Sequence, residues 1–163
     1  MSSTHDELAG VVDLFGALTH AELAAALGEL AFKQGQDVDE AALEAEIDAA
    51  IAAYALVEYE PADSSQPEDA GTVIAVGPTA FPSLPPNAED LPHILDYERR
   101  SIDRERLASQ VSQRLTAEAT ATVDADETGR ATELLDVAYD IEMWAPIETE
   151  EIRSKLTAVL PQD

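Results

Sequence analysis

Between Leu18 and Glu60 the chain sets down two helix starts and a strand in quick succession, an order that few folds accommodate. Thr19 is followed three residues later by Glu22, the spacing at which the two side chains satisfy each other's unpaired backbone donors at a helix start. Leu18 and Leu23 stand at the flanking apolar positions of that motif, and Leu23, Leu27, Leu30 and Ala31 repeat at helical spacing, so one stripe faces a core. Lys33, Gln34 and Gly35 form a helix ending. A second start follows at Asp39, with Val38 before it and Leu43 after it as an apolar clasp. Leu43, Ile47, Ile51 and Tyr54 supply its stripe. Beyond Tyr54 the run from Leu56 to Glu60 is β-prone and partly alternating, and Pro61 stops it.

The flanks complete the plan. Thr4 and Glu7 repeat the capping spacing ahead of a first helix whose stripe is Leu8, Val11, Val12, Phe15 and Leu18. Residues 61–71, rich in Pro, Ser, Asp and Gly, read as a loop with an acidic tip. Thr72 to Val76 is a compact β-branched run stopped by Gly77 and Pro78, and its simplest partner is the strand at 56–60 in an antiparallel hairpin. Three helices and a hairpin in that order predict a winged helix-turn-helix plan over residues 1–77. Residues 78–93 contain five prolines, which excludes helix there. The apolar Phe81, Leu84, Leu91, Ile94 and Leu95 make this segment a strap expected to pack on the first domain. From residue 94 to 163 the pattern is helical. Ile102, Leu107, Val111, Leu115, Ala119 and Val123 share one side, and a break follows at the DADETG run. The next helix carries Leu134, Leu135, Ala138, Ile141 and Trp144, and a short closing one carries Ile152, Leu156 and Val159. The expected fold is mainly α with a small β-hairpin (α+β), its winged-helix-like N-terminal half packed on a C-terminal helical half whose two longer helices pair antiparallel.

Charge decides the solvent. Of 163 residues, 34 are acidic and 9 basic, a net charge of −25, yet 45% are apolar with clear periodicity, which excludes disorder for most of the chain. At molar salt the screening length falls to roughly 3 Å, and the self-repulsion of such a chain is largely cancelled. The composition is therefore that of a halophilic protein. The absence of cysteine excludes disulfides and thiolate metal sites. No basic-then-apolar leader and no apolar run of spanning length occurs, so a cytoplasmic protein without membrane contact is expected.

No chemical motif rises above this background. A DNA-reading helix offers Arg, Lys, Asn or Gln to bases and phosphates, but the helix opening at Asp39 offers Asp39, Glu40, Glu44, Glu46 and Asp48. DNA is thus disfavoured as a partner. The one basic cluster is Arg99, Arg100, Arg104 and Arg106, a candidate contact for phosphate or an acidic partner. The interleaved Glu98, Asp103 and Glu105 favour ion pairs that anchor the two halves. His93, beside Glu89, Asp90 and Asp96, has no second histidine at helical spacing and reads as chance proximity rather than a metal site. Tyr139, Met143 and Trp144 read as packing residues in a core or a seam between the halves. Nucleophile-elbow, phosphate-loop and dinucleotide glycine patterns are missing, so no catalytic residue, cofactor or small-molecule substrate is assigned and no enzyme is expected.

The segments LAGVVDLFGALTHAELAAALGELAFKQG, VGPTAFPSLPPNAEDLPHILD and LLDVAYDIEMWAPI together resemble an uncharacterised family of small haloarchaeal proteins. The resemblance covers nearly the whole chain and implies a haloarchaeal source; it brings no activity or functional residues. The expected function is that of a non-enzymatic protein working through protein-protein contacts or self-association, on an exposed side of the C-terminal helices that the sequence does not select. The alternative is a DNA-binding transcription regulator working in high salt.

Overall fold

In the computed structural model, Thr19 and Glu22 do close on each other. The Thr19 amide donates to Glu22 Oε1 at 2.9 Å and the Glu22 amide to Thr19 Oγ1 at 3.1 Å, which starts α2 at His20–Lys33. Asp39 likewise caps α3, Glu40–Ala52, by accepting from the Ala42 amide at 3.2 Å. The structure describes residues 2–33, 35, 39–60, 72–84, 88–95 and 100–160, with the side chains of residues 2–4, 93 and 94 left out. The expected apolar clasp at Val38 and the acidic loop at 61–71 lie outside these residues. The fold is mainly helical with one two-stranded antiparallel hairpin.

The chain divides into two compact units, Met1–Asp103 and Arg104–Asp163. In the first, α1 spans Ser2–Phe15, so the helix begins two residues ahead of the expected cap at Thr4. Strands β1, Leu56–Tyr59, and β2, Val73–Val76, pair with Leu56 opposite Val76 and Tyr59 opposite Val73. Leu18, in the link between α1 and α2, adds a short third rung by exchanging backbone hydrogen bonds with Ile74 at 3.0 and 2.6 Å. The core gathers Leu8, Val12, Phe15, Leu18, Leu23, Leu30 and Ile47, from the stripes anticipated at helical spacing, with Leu56 and Ile74 of the strands and Leu91 of the strap. Burial of each such side chain contributes about 1.5–3 kcal/mol.

Two expectations for this unit are corrected. Tyr54 does not extend the α3 stripe: it lies past the helix end in the left-handed region (φ 64°), with its ring fully buried. That conformation turns the chain from α3 into β1, and the Thr79 amide and hydroxyl brace it by donating to the carbonyls of Tyr54 (3.2 Å) and Ala53 (2.9 Å). The proline-rich strap does run along α1, but on its backbone. The Phe81 amide donates to Asp6 Oδ1 and the Ser83 amide to the Asp6 carbonyl, both at 3.0 Å. Ser83 passes so close to Gly10 that a Cβ there would collide with its carbonyl. Phe81 (81% exposed) and Leu84 (49%) point to solvent, while Ala88 and Leu91 enter the core. The strap also contains more helix than its prolines suggest. A 3-10 turn at Ala88–Asp90 leads into α4, Leu91–Leu95, where Pro92 sits in the first turn and its missing N–H costs nothing.

In the second unit α5, Arg104–Ala125, and α6, Thr128–Trp144, are joined through Asp126, which adopts φ 57°, and pack on each other and on α7, Glu150–Ala158. The expected antiparallel pair is thus part of a three-helix unit. Leu107, Val111, Leu115 and Ala119 of α5 meet Leu134, Ala138 and Ile141 of α6 and Ile152 and Leu156 of α7 in the buried interior. Ile102 stays outside this unit, because α5 begins at Arg104 rather than near Leu95.

Candidate functional site

The structure describes three of the four arginines of the expected cluster, Arg100 in the first unit and Arg104 and Arg106 in the second. Arg99 lies outside the described residues. The Arg100 amide donates to the Phe15 carbonyl at 2.8 Å. Its guanidinium reaches Glu22 by two bonds, Nη1 to Oε1 at 2.6 Å and Nη2 to Oε2 at 3.3 Å, and Nη1 also donates to the Ala17 carbonyl at 3.1 Å. Gly16 (φ 79°) makes this approach possible, since any side chain there would strike the Arg100 carbonyl. Arg100 therefore clips residues 100–103 onto the start of α2, and both partners belong to the first unit. Burial pushes the Glu22 carboxyl up, but the Arg100 hydrogen bonds, the Thr19 amide and the Arg100 charge outweigh it and hold the group below its ordinary value. Arg104 stands over the Trp144 ring, 5.2 Å from its centroid, and Arg106 is exposed on α5.

On α3 the acidic residues Asp39, Glu40, Glu44, Glu46 and Asp48 are all exposed, as are Ala41, Ala45 and Ala49 on the side opposite the buried Ile47 and Ala50. Among the described residues, the basic group near this face is His20, whose Nε2 is 3.8 Å from Asp48 Oδ1.

In the second unit several carboxylates are paired with arginines. Glu118 binds both Arg114 (2.9 Å) and Arg130 (3.0 Å), tying α5 to α6. Glu142 Oε2 accepts from the Thr149 amide at 2.9 Å and from Arg153 at 3.2 Å, and Arg153 lies over the Tyr139 ring at 4.8 Å. The Thr149 amide, first, and then its hydroxyl and Arg153 hold the Glu142 carboxyl below its ordinary value. Asp140 moves the other way: partial burial, then the nearby Asp136 carboxylate, raise it. Tyr139 is half exposed and Met143 90% exposed, so neither belongs to the core of this unit. Trp144 is partly buried and, with Arg104, Ala108, Ser112, Pro146 and Ile147, lines a groove of about 550 Å³. Its wall is largely apolar, and its polar positions are the Arg104 guanidinium, the Glu105 carboxylate, the Ser109 and Ser112 hydroxyls and the Gln113 amide, a lining that suits an apolar side chain with a polar neighbour.

Sequence reading missed the partners Glu22, Trp144 and Thr149. Among the described residues, Arg114 with Glu118, at i,i+4, and Arg130 with Glu133, at i,i+3, are ion pairs with a local signal. Among the described residues, no group of three or more His, Asp or Glu is placed to hold a metal ion, and no helix is long and apolar enough to cross a membrane. The His93 side chain is not among those described.

Compared with known families, residues 6–161 match a family of unknown function, DUF7109. The chain belongs to this family. Neither curated proteins nor solved structures yield a match. For this DUF7109 member, chemistry has to be argued from the surfaces above.

Proposed function

We propose that this is a non-enzymatic protein of a salt-rich cytoplasm that works through protein contacts or self-association, with a winged-helix-like first unit that is not used to read DNA. The observation that carries this reading is the exposed surface of α3, which holds five carboxylates and otherwise alanines, and none of the Arg, Lys, Asn and Gln that would meet bases and phosphates. The winged-helix description is supported by the order α1, the Leu18 rung, α2, α3, β1, β2. A haloarchaeal source is supported by the net charge of −25. Affinity purification of the full chain from native lysate in multimolar potassium chloride tests the reading. A stoichiometric protein partner, or the chain itself, is the expected product.

One observation favours a second reading. The winged-helix order is a plan used for DNA, and proteins in concentrated salt gain less from basic patches because counterion release contributes less there. A transcription regulator using Arg99, Arg100, Arg104 and Arg106 against phosphates would show reproducible enrichment at discrete sites in a chromatin pull-down in the same salt. That result would overturn the protein-only reading. Arg100 is the poorest of the four for that task, since its guanidinium already holds Glu22.

A further inference from the structure

The outward side of α5 departs from the acidic character of the chain. Its exposed positions Ser109, Gln113, Thr116, Ala117, Thr120 and Ala121 carry no charge in a chain of which 26% is charged. They lie opposite the buried Leu107, Val111, Leu115 and Ala119, so the face turns away from this unit's own core.

The ends of the helix depart as well. A helix favours acids at its N-terminus and bases at its C-terminus. Yet α5 opens with Arg104 and Arg106, separated by Glu105, and closes near Asp124, with Asp126 and Glu127 just beyond. Arg106 and Asp124 are both exposed and, at 100° per residue, point to the same side as the uncharged face. They stand about 27 Å apart along the axis at 1.5 Å rise per residue.

One arrangement accounts for both departures. If the α5 helix of a second copy lies antiparallel across the first, Arg106 of each chain meets Asp124 of the other, and the two helix dipoles oppose favourably. Residues summing to the same number then face each other, so Ser109 meets Ala121 and Gln113 meets Ala117. These side chains are small enough for axes to approach to about 8 Å. The groove at Trp144, Pro146 and Ile147 opens beside Ser109 and Ser112, at the arginine end. It would receive the alanine-rich end of the opposite helix, with methyl groups toward the indole and the Asp124 carboxylate toward Arg106 rather than toward Glu105, which also lines the groove. The surface is its own complement, as a two-fold interface requires, and it lets two chains of net charge −25 meet over a centre free of carboxylates, with Glu105 at its edge.

We propose that the uncharged face of α5, together with the adjoining Trp144 groove, is the seam of an antiparallel homodimer. The inference rests on the self-association reading and names its surface. Sedimentation velocity of the full chain in multimolar potassium chloride, over a wide concentration range, should show a reversible dimer. Ala117→Glu with Ala121→Glu should weaken it at least tenfold while circular dichroism stays unchanged. At the lowest salt that preserves the native spectrum, Arg106→Asp and Asp124→Arg should each weaken the dimer several-fold, and the double swap should restore it. Each single swap improves the match to the helix dipole, so a merely structural role would raise the melting temperature and leave association alone. A dimer indifferent to the alanine substitutions, or a double swap that fails to restore association, overturns this seam and leaves self-association standing. A monomer at every concentration overturns both, while purification from native lysate still decides independently whether another protein binds.

Discussion

The two units of this chain handle the same acidic composition in opposite ways. Residues 1–103 hold 21 of the 34 acidic residues and 3 of the 9 basic ones, whereas residues 104–163 hold 13 and 6. In the first unit the carboxylates of α3 stand in solvent, with His20 beside Asp48 as their basic neighbour among the described residues, and the strongest clip is the bidentate Arg100–Glu22 pair. In the second, Glu118 and Glu142 each hold guanidinium groups that fasten one segment to another. Exposed like charges are relieved by dissolved ions; short, partly buried pairs need them less. The difference teaches that net charge alone does not predict which part of a protein needs salt: the arrangement of the few cations does.

The largest effect should come from the turn between α3 and β1. Tyr54→Ala removes a fully buried ring at the joint of the first unit and should cost about 3–5 kcal/mol. Thermal melting followed by residue-resolved NMR should show the loss confined to residues 1–103; equal destabilisation of α5 and α6 would mean that the two units do not unfold independently.

Next comes the clip at α2. Arg100→Met should cost about 2 kcal/mol, the range for a partly buried charged hydrogen bond left without its partner. The Glu22 carboxyl has its folded value depressed, so its contribution is fully present above the ordinary glutamate range and is lost as pH falls through the depressed value. Acid titration of stability should therefore show a steeper loss for the native chain than for Arg100→Met. Identical acid limbs would remove this pair from the account.

How much of this was legible beforehand divides along the same line. Thr19 with Glu22, the capping Asp39, the hairpin strands and the Leu107–Val111–Leu115–Ala119 stripe were readable because each signal sits within four residues or one strand. Tyr54 was misread because periodicity cannot tell a helix's last stripe residue from the turn residue that follows it. Phe81 and Leu84 were misread because hydrophobicity was taken as packing, when the strap is held by amides on Asp6. The partner of Arg100 lies 78 residues away in sequence, and that of Arg104 lies on a different helix. Neither contact follows from composition, and in a chain with 34 acids proximity in sequence points to the wrong ones.

Two smaller substitutions sharpen the contrast. Glu44→Lys with Asp48→Lys on α3 should stabilise the first unit by about 0.5–1 kcal/mol in dilute buffer and by almost nothing in multimolar salt. A gain of the same size in both solvents would show that repulsion on that face is not what salt relieves. In the second unit, burial and then Asp136 raise the Asp140 carboxyl, so its charged form weighs against the fold above the ordinary aspartate range, and the penalty is relieved as pH falls through the raised value. Asp140→Asn should stabilise that unit at neutral pH by about 0.2–0.5 kcal/mol, the size of an i,i+4 repulsion, measurable as a small rise in its melting temperature.

The most direct measurement is residue-resolved hydrogen exchange on the full chain as potassium chloride is lowered from multimolar to dilute. The amides of α2, α3 and the hairpin should lose protection at a higher salt concentration than those of α5 and α6. Protection lost at the same salt in both units, or first in α5 and α6, would contradict the claim that salt supports the fold through the bare carboxylates of the first unit.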